Sequence, residues 1–155
     1  MPPAMQIRPD DLSDPAIHAL LEEHLASMRA QSPPGSVHAL DLARLREPSI
    51  TFWSAWDGAT LLGCAALRQL DGTHGEIKSM RTPSAQRRRG AGKALLAHII
   101  AEAQRRQYRR LSLETGAQPS FAAAHTLYAQ AGFVRCGPFG DYVDDPNSVF
   151  MTRDM

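Results

Sequence analysis

RRRGAG, Arg87 to Gly92, runs directly into the helix-like segment KALLAHIIAEAQRR, and EIKSMR, Glu76 to Arg81, stands just upstream. The order is strand, short glycine-containing turn, helix. The first turn of a helix leaves its backbone N–H groups without intrahelical partners, and the aligned peptide dipoles place about half a positive charge there. Gly90 and Gly92 carry no Cβ to hold an anion away from the main chain. Arg87, Arg88 and Arg89 add formal charge. The stretch therefore reads as a phosphate-binding turn built mostly of backbone. Two common phosphate motifs do not fit. A Walker A loop requires Ser or Thr after its Gly-Lys, and Gly92-Lys93 is followed by Ala94; a dinucleotide fingerprint requires GxGxxG, and Gly90-Ala91-Gly92 runs on into Ala94 and Leu95. What remains is R-x-x-G-x-G, as Arg87, Gly90 and Gly92. Taken alone, six residues favour a solvated basic helix start, so the surroundings decide.

The chain has 155 residues, a length that suggests one domain, residues 1–155, around one real core. Net charge is +1, so the molecule as a whole is not drawn to nucleic acid or to a membrane surface. The charge is unevenly placed. Arg87 to Arg110 holds eight basic residues and one acid, Glu102, and so carries +7 against −6 for the rest. That asymmetry favours a polyanionic ligand, although Arg105, Arg106, Arg109 and Arg110 more simply complement the C-terminal end of a helix dipole. Cys64 and Cys136 show neither a disulfide framework nor metal-ligand spacing, so no metal and a reducing, cytoplasmic location are expected. No apolar run approaches the roughly 18–20 residues that span a bilayer, and MPPA is no signal peptide.

Outward from the turn, the chain alternates cleanly. Met5 to Arg8 is a short strand. Ser13 or Asp14 caps a helix with Pro15 in its first turn and Ile17, Leu20, Leu21, Leu25 and Met28 on one face; His18 and His24 fall off that stripe and read as solvated. QSPPGS, Gln31 to Ser36, breaks the chain before a second helix from about Val37 to Leu45 with His38 at its start. Ser49–Trp56 and Thr60–Gln69 are joined by Asp57-Gly58, a strong hairpin signal, and Asp71-Gly72 leads into a third strand, Gly75 to Thr82. Trp53 and Trp56 read as core. The helix from Gly90 to about Gln107 sets Leu95, Leu96, Ile99, Ile100 and Ala103 on one face, and RLSLET, Arg110 to Thr115, is the next strand. A strand–helix–strand connection of that length implies a parallel pair with a right-handed crossover. A last helix opens at Pro119 or Ser120, carries Leu127 and Tyr128, and ends at Gly132. Phe133–Cys136 and Ser148–Thr152 are strands separated by a loop, 137–147. The fold class is α/β (α+β): a mixed, mostly antiparallel sheet of about seven strands with about four helices.

This order of elements, with R-x-x-G-x-G after the fourth strand and LYAQAGF, Leu127 to Phe133, at the end of the last helix, resembles the GNAT superfamily of acyl-CoA N-acyltransferases, and PFGDY…DPNSVFM looks like a bacterial subgroup of it with unsettled substrate. The resemblance covers essentially the whole chain. It implies acetyl-CoA as donor, its diphosphate held by the N–H groups from about Arg88 to Lys93, with Arg87, Arg88, Arg89, Gly90, Ala91, Gly92 and Lys93 forming the loop. Met80, Arg81 and Thr82 would pair with the pantetheine arm, the backbone near Met80 would donate to the oxyanion, and Tyr128 would be the general acid toward the departing thiolate. One departure stands out: many members carry Asn seven residues before that Tyr, and here the position is Phe121.

Transfer requires a neutral amine. An alkyl amine of pKa ~10.4 is free base only about one part in 2,500 at pH 7, equivalent to roughly 4.6 kcal/mol, so a base is useful. Glu76, on the fourth strand, is the expected base, against the simpler reading that it pairs with Lys78; His74 is a reserve candidate more in character as a turn residue, and His125 reads as solvated. The expected acceptor is a small-molecule primary amine. A protein lysine or N-terminus is the alternative within the class. A catalytically silent CoA-binding module and a nucleic-acid binder are alternatives outside it; the first would lack Glu76 and Tyr128, and the second lacks aromatics interleaved with the arginines. A homodimer is left open by the resemblance.

Overall fold

The computed structural model describes residues 5–37, 40–83, 86–87 and 89–155. His38 and Arg88, named above, lie outside the described residues. Strand β1 is Met5–Pro9 and helix α1 is Pro15–Gln31, capped by Asp14, whose carboxylate accepts from the Ala16 N–H at 2.8 Å, with Pro15 in the first turn. A 3₁₀ turn, Pro34–Ser36, and a four-residue helix α2, Leu42–Leu45, follow. The expected helix from Val37 is thus shortened, because Asp41, not a residue near 37, caps it by accepting from the Arg44 N–H at 2.9 Å. Then come β2 (Ile50–Asp57), β3 (Thr60–Gln69), β4 (His74–Arg81), α3 (Ala91–Arg105), β5 (Arg110–Gly116), a 3₁₀ turn at Pro119–Phe121, α4 (Ala122–Gln130), β6 (Val134–Cys136) and β7 (Ser148–Asp154).

The seven strands form one mixed sheet in the order β1-β2-β3-β4-β5-β7-β6. Gly58, at φ +56°, makes the β2–β3 hairpin turn. Among the described residues only β4 and β5 run parallel, and the other pairs are antiparallel. The sheet buries both faces. On one, α3 and α4 cover Trp53, Leu67, Ile77, Leu111 and Leu113 with Leu95, Leu96 and Ile99, the apolar stripe of α3. On the other, Ile17, Leu20 and Leu21 of α1 pack with Leu45, Phe52 and Trp56. Each such side chain contributes about 1.5–3 kcal/mol by leaving water.

What matters for the site is a break in β4. Its register against β3 passes from Ala66↔Lys78 to Cys64↔Arg81, so Ala65 stands opposite both Ser79 and Met80. Ser79 takes φ +53°, a left-handed backbone that a non-glycine residue adopts only where its surroundings enforce it. This is a β-bulge, and bulges bend their strand. The parallel ladder accordingly joins His74–Ile77 to Arg110–Leu113 and goes no further. Beyond Ile77 the two strands splay.

Candidate active site

A cleft of about 560 Å³ fills the splay. Met80, Arg81 and Thr82 of the bent strand line it, as do Arg87 and Gly92 of the turn before α3, Glu114 of β5, Tyr128 of α4 and His24 of α1. The strand-four, turn and Tyr128 signals of the sequence thus converge on one space. Gly90 is the N-cap of α3 at φ +83°, with nothing within 4 Å of where a Cβ would stand. Among the described residues no side chain caps this helix end, so its first N–H groups are left to another acceptor. Ala91 is buried against the core and Lys93 is exposed. The Arg89 guanidinium is committed elsewhere: it pairs with Asp57 at 2.6 Å and donates to Gln86 at 2.7 Å. Its place in the loop is therefore one of backbone. Arg105 and Arg106 pair with Glu102, in line with a structural reading of that basic run.

Tyr128 is buried, its ring edge-on to Phe133 and its hydroxyl 3.8 Å from the Met80 thioether. Burial, and then the nearby Glu114 carboxylate, push its phenol up to about 12, so the proton is present at any working pH. Glu76 lies outside the cleft, in a second cavity of about 540 Å³ that Lys78 shares with the first. It is 1% exposed, 3.3 Å from the Lys78 ammonium, and accepts from the Tyr142 hydroxyl at 2.5 Å; Lys78 also donates to that hydroxyl at 2.8 Å. The pairing with Lys78 considered from sequence is present, in a closed three-membered network. Tyr142, in the loop between β6 and β7, is pushed upward by burial and by Glu76. His74 begins β4, lines the second cavity, and bonds Ser112 Oγ at 2.7 Å.

Three histidines depart from expectation. His18 Nε2 lies 2.6 Å from the Leu12 carbonyl and His125 Nε2 2.8 Å from that of Gly116, so both rings are held by backbone oxygens left over where turns interrupt regular structure. His24 turns into the cleft, and burial, then the Arg81 charge, push it down to about 4.

Sequence reasoning missed Glu114. The alternation in RLSLET, with Ser112 and Glu114 on the face opposite Leu111 and Leu113, carried the signal: a carboxylate set on one side of a strand buried on both. Glu114 carries no salt bridge among the described residues, and burial pushes its carboxyl up; the Ser148 hydroxyl and Lys78 act against that rise, Glu76 and Asp145 with it.

A sheet split at a bulge, an uncapped helix start on one side of the split and a buried phenol on the other define an acyltransferase that handles a phosphate-bearing donor. The GNAT acetyltransferase family model matches residues 17–133, and the chain belongs to that family. It is 56% identical over 151 residues to the uncharacterised N-acetyltransferase YsnE of Bacillus subtilis, covering 97% of this chain and all of that one. The IAA acetyltransferase of Azospirillum brasilense is 36% identical, with both chains covered fully. Among solved structures, a Klebsiella pneumoniae protein classed as an acyl-CoA N-acyltransferase superposes with a TM-score of 0.81 at 27% identity, covering 97% of each chain. The protein is thus a GNAT-type acetyltransferase.

The residues present fit a coenzyme A arm. His24 Nδ1, Ser79 Oγ and Arg81 Nε are buried polar atoms with no hydrogen-bond partner among the described residues, and all three residues line the cleft. Buried polar atoms are rarely left so, and an amide- and phosphate-bearing ligand would satisfy them. Phe121, at the position where the family resemblance implies Asn, packs on Gly116 so closely that a Cβ there would fall 2.3 Å from its ring. It shapes the cleft wall and offers no polar contact, so Ser79 and Arg81 are the replacements on offer.

Proposed function

We propose that the protein transfers the acetyl group of acetyl-CoA directly to a primary amine of a small molecule. The observation that carries this reading is the single cleft lined both by the turn before α3 and by Tyr128. Bound there, acetyl-CoA supplies an acetyl thioester. The N–H groups from Gly90 to Lys93, with Arg87, hold the diphosphate, and Arg88 belongs to the same loop. Met80, Arg81 and Thr82 hold the pantetheine arm, and the backbone near Met80 donates to the carbonyl oxygen. Tyr128, kept protonated by its surroundings, gives its proton to the departing sulfur. A carboxylate beside Lys78 would relieve the acceptor of a proton: Glu76, the candidate by strand position, or Glu114.

A small acceptor is supported by the second cavity, which has Lys78 in common with the cleft and is walled by the loop around Tyr142. Its volume suits a metabolite-sized guest. Calorimetric titration with acetyl-CoA and with CoA tests the donor site. Roughly stoichiometric, micromolar binding is expected, followed by thiol release on adding small amines. Folded protein that binds neither would remove the reading. Thiol release with lysine peptides but not with free amines would move the acceptor to protein.

A further inference from the structure

We propose that Glu114, rather than Glu76, takes the proton from the acceptor amine; the inference rests on the acetyl-transfer reading above. The argument is geometric. β4 and β5 last pair at Ile77↔Leu113, so Glu114 is the first β5 residue past the point of splaying. It lines the cleft that Tyr128 and Met80 line, whereas Glu76 does not. Glu76 is already bound by two donors, Lys78 and Tyr142. Those donors occupy the lone pairs through which it would take a proton from an amine. Glu114 has no salt bridge among the described residues.

The groups facing Glu114 are Lys78 and Glu76 from β4, Tyr142 and Asp145 from the β6–β7 loop, Tyr128 from α4, and His24 across the cleft on α1. Burial and the two other carboxylates oppose its ionised form; the Ser148 hydroxyl and Lys78 favour it, and the balance is upward. A carboxyl raised in this way is better matched to accept a proton near neutral pH than an exposed one at ~4.3.

The step balances as follows. The acceptor enters as an ammonium ion and loses one proton to the Glu114 carboxylate. Its freed lone pair forms the C–N bond at the acetyl carbon, and the C–S bond breaks. The Tyr128 phenol protonates the leaving sulfur and regains a proton from the same nitrogen, which becomes the amide N–H. Glu114 then returns its proton to water. The order has a consequence. Negative charge on Glu114 helps to hold the Tyr128 phenol high, so protonating Glu114 makes that phenol a stronger acid as the thiolate leaves.

Two measurements test this on the full chain. Carboxyl-¹³C NMR of glutamate-labelled protein, free and with CoA, should show a resonance, absent in Glu114→Gln, that titrates clearly above the ordinary range. Titration at or below that range overturns the assignment. Thiol release from acetyl-CoA, with n-butylamine, spermidine and each common amino acid as acceptors, should fall ~10²-fold or more at pH 7 in Glu114→Gln. The deficit should shrink steadily as pH rises toward the amine's own pKa, with CoA affinity unchanged. A deficit equal at all pH values, or the same pH signature in Glu76→Gln but not in Glu114→Gln, overturns it. Failure of CoA to bind wild-type protein counts against acetyl transfer itself; CoA binding without these signatures removes only Glu114.

Discussion

Burial moves the ionisable groups of the cleft in opposite directions, and each displacement has its own measurable result. His24 is held neutral. Its folded pKa of about 4 lies below the ordinary 6.5, so its contribution to stability is complete above pH 6.5 and is lost as pH falls toward 4. That contribution is of order 2 kcal/mol. His24→Gln keeps a polar side chain and cannot charge. Between pH 6.5 and 4, wild-type Tm should therefore fall more than that of the variant, by roughly 4–8 °C. Parallel curves of Tm against pH would show that His24 charges without cost. In the proposed reaction Tyr128 acts on rate instead. Tyr128→Phe leaves the packing against Phe133 in place and removes the proton, so kcat for thiol release should fall ~10²-fold with CoA affinity unchanged. Undiminished turnover would free Tyr128 of the acid role. Of these residues, Tyr128 was readable because its neighbours Leu127 and Gly132-Phe133 form a compact local pattern. Glu114 and His24 were not, because what distinguishes them is the cleft they face, and that depends on contacts between distant segments.

At the level of elements, the start of α3 is where sequence and structure agree most closely. Gly90 takes φ +83°, which costs an L-residue roughly 1–2 kcal/mol, yet no neighbour crowds the missing Cβ. Gly90→Val should therefore leave a folded protein, its Tm lower by at most about 8 °C, while the added side chain stands over the N–H groups and weakens CoA binding at least tenfold. Full CoA affinity in the variant would detach the diphosphate from this turn. Elements delimited by local chemistry were legible: Asp14-Pro15, Asp57-Gly58 and the α3 stripe each fix a boundary within a few residues. The bulge at Ser79 was not, since EIKSMR shows an ordinary strand and only pairing with β3 forces the extra residue out of register. Nor was the network at Glu76, which Tyr142 reaches from 66 positions away. Loops that cross a sheet place side chains by tertiary contact, and no local spacing records it.

The whole molecule is two sheet segments held side by side. β1 to β4 form one antiparallel run, and β5, β7 and β6 form another. Among the strands, only the short parallel ladder of β4 with β5 joins them, and it stops where the bulge begins. Helix α3 reinforces the joint by packing across Trp53, Ile77, Leu111 and Leu113. A ligand seated in the splay touches β4 and β5 at once, along with the turn before α3 and the end of α4. It binds the native arrangement and has no equivalent site in the unfolded chain, so it stabilises by mass action, about 2.7 kcal/mol at a concentration of 100 Kd. For a chain of this size each kcal/mol moves Tm by roughly 2–4 °C, so saturating CoA should raise Tm by about 5–11 °C. Weakening the core on the α3 face gives the control. Ile99→Ala removes a fully buried side chain and should cost about 2–5 kcal/mol, lowering Tm in the free protein. Because Ile99 does not line the cleft, the rise on adding CoA should be nearly the same in the variant as in wild type. Thermal denaturation of both proteins with and without CoA measures both quantities. A rise present in wild type but absent in Ile99→Ala would mean that the cleft forms only when the α3 core is intact, making ligand binding and core packing one cooperative unit. No rise in either would mean that CoA does not bridge the two segments.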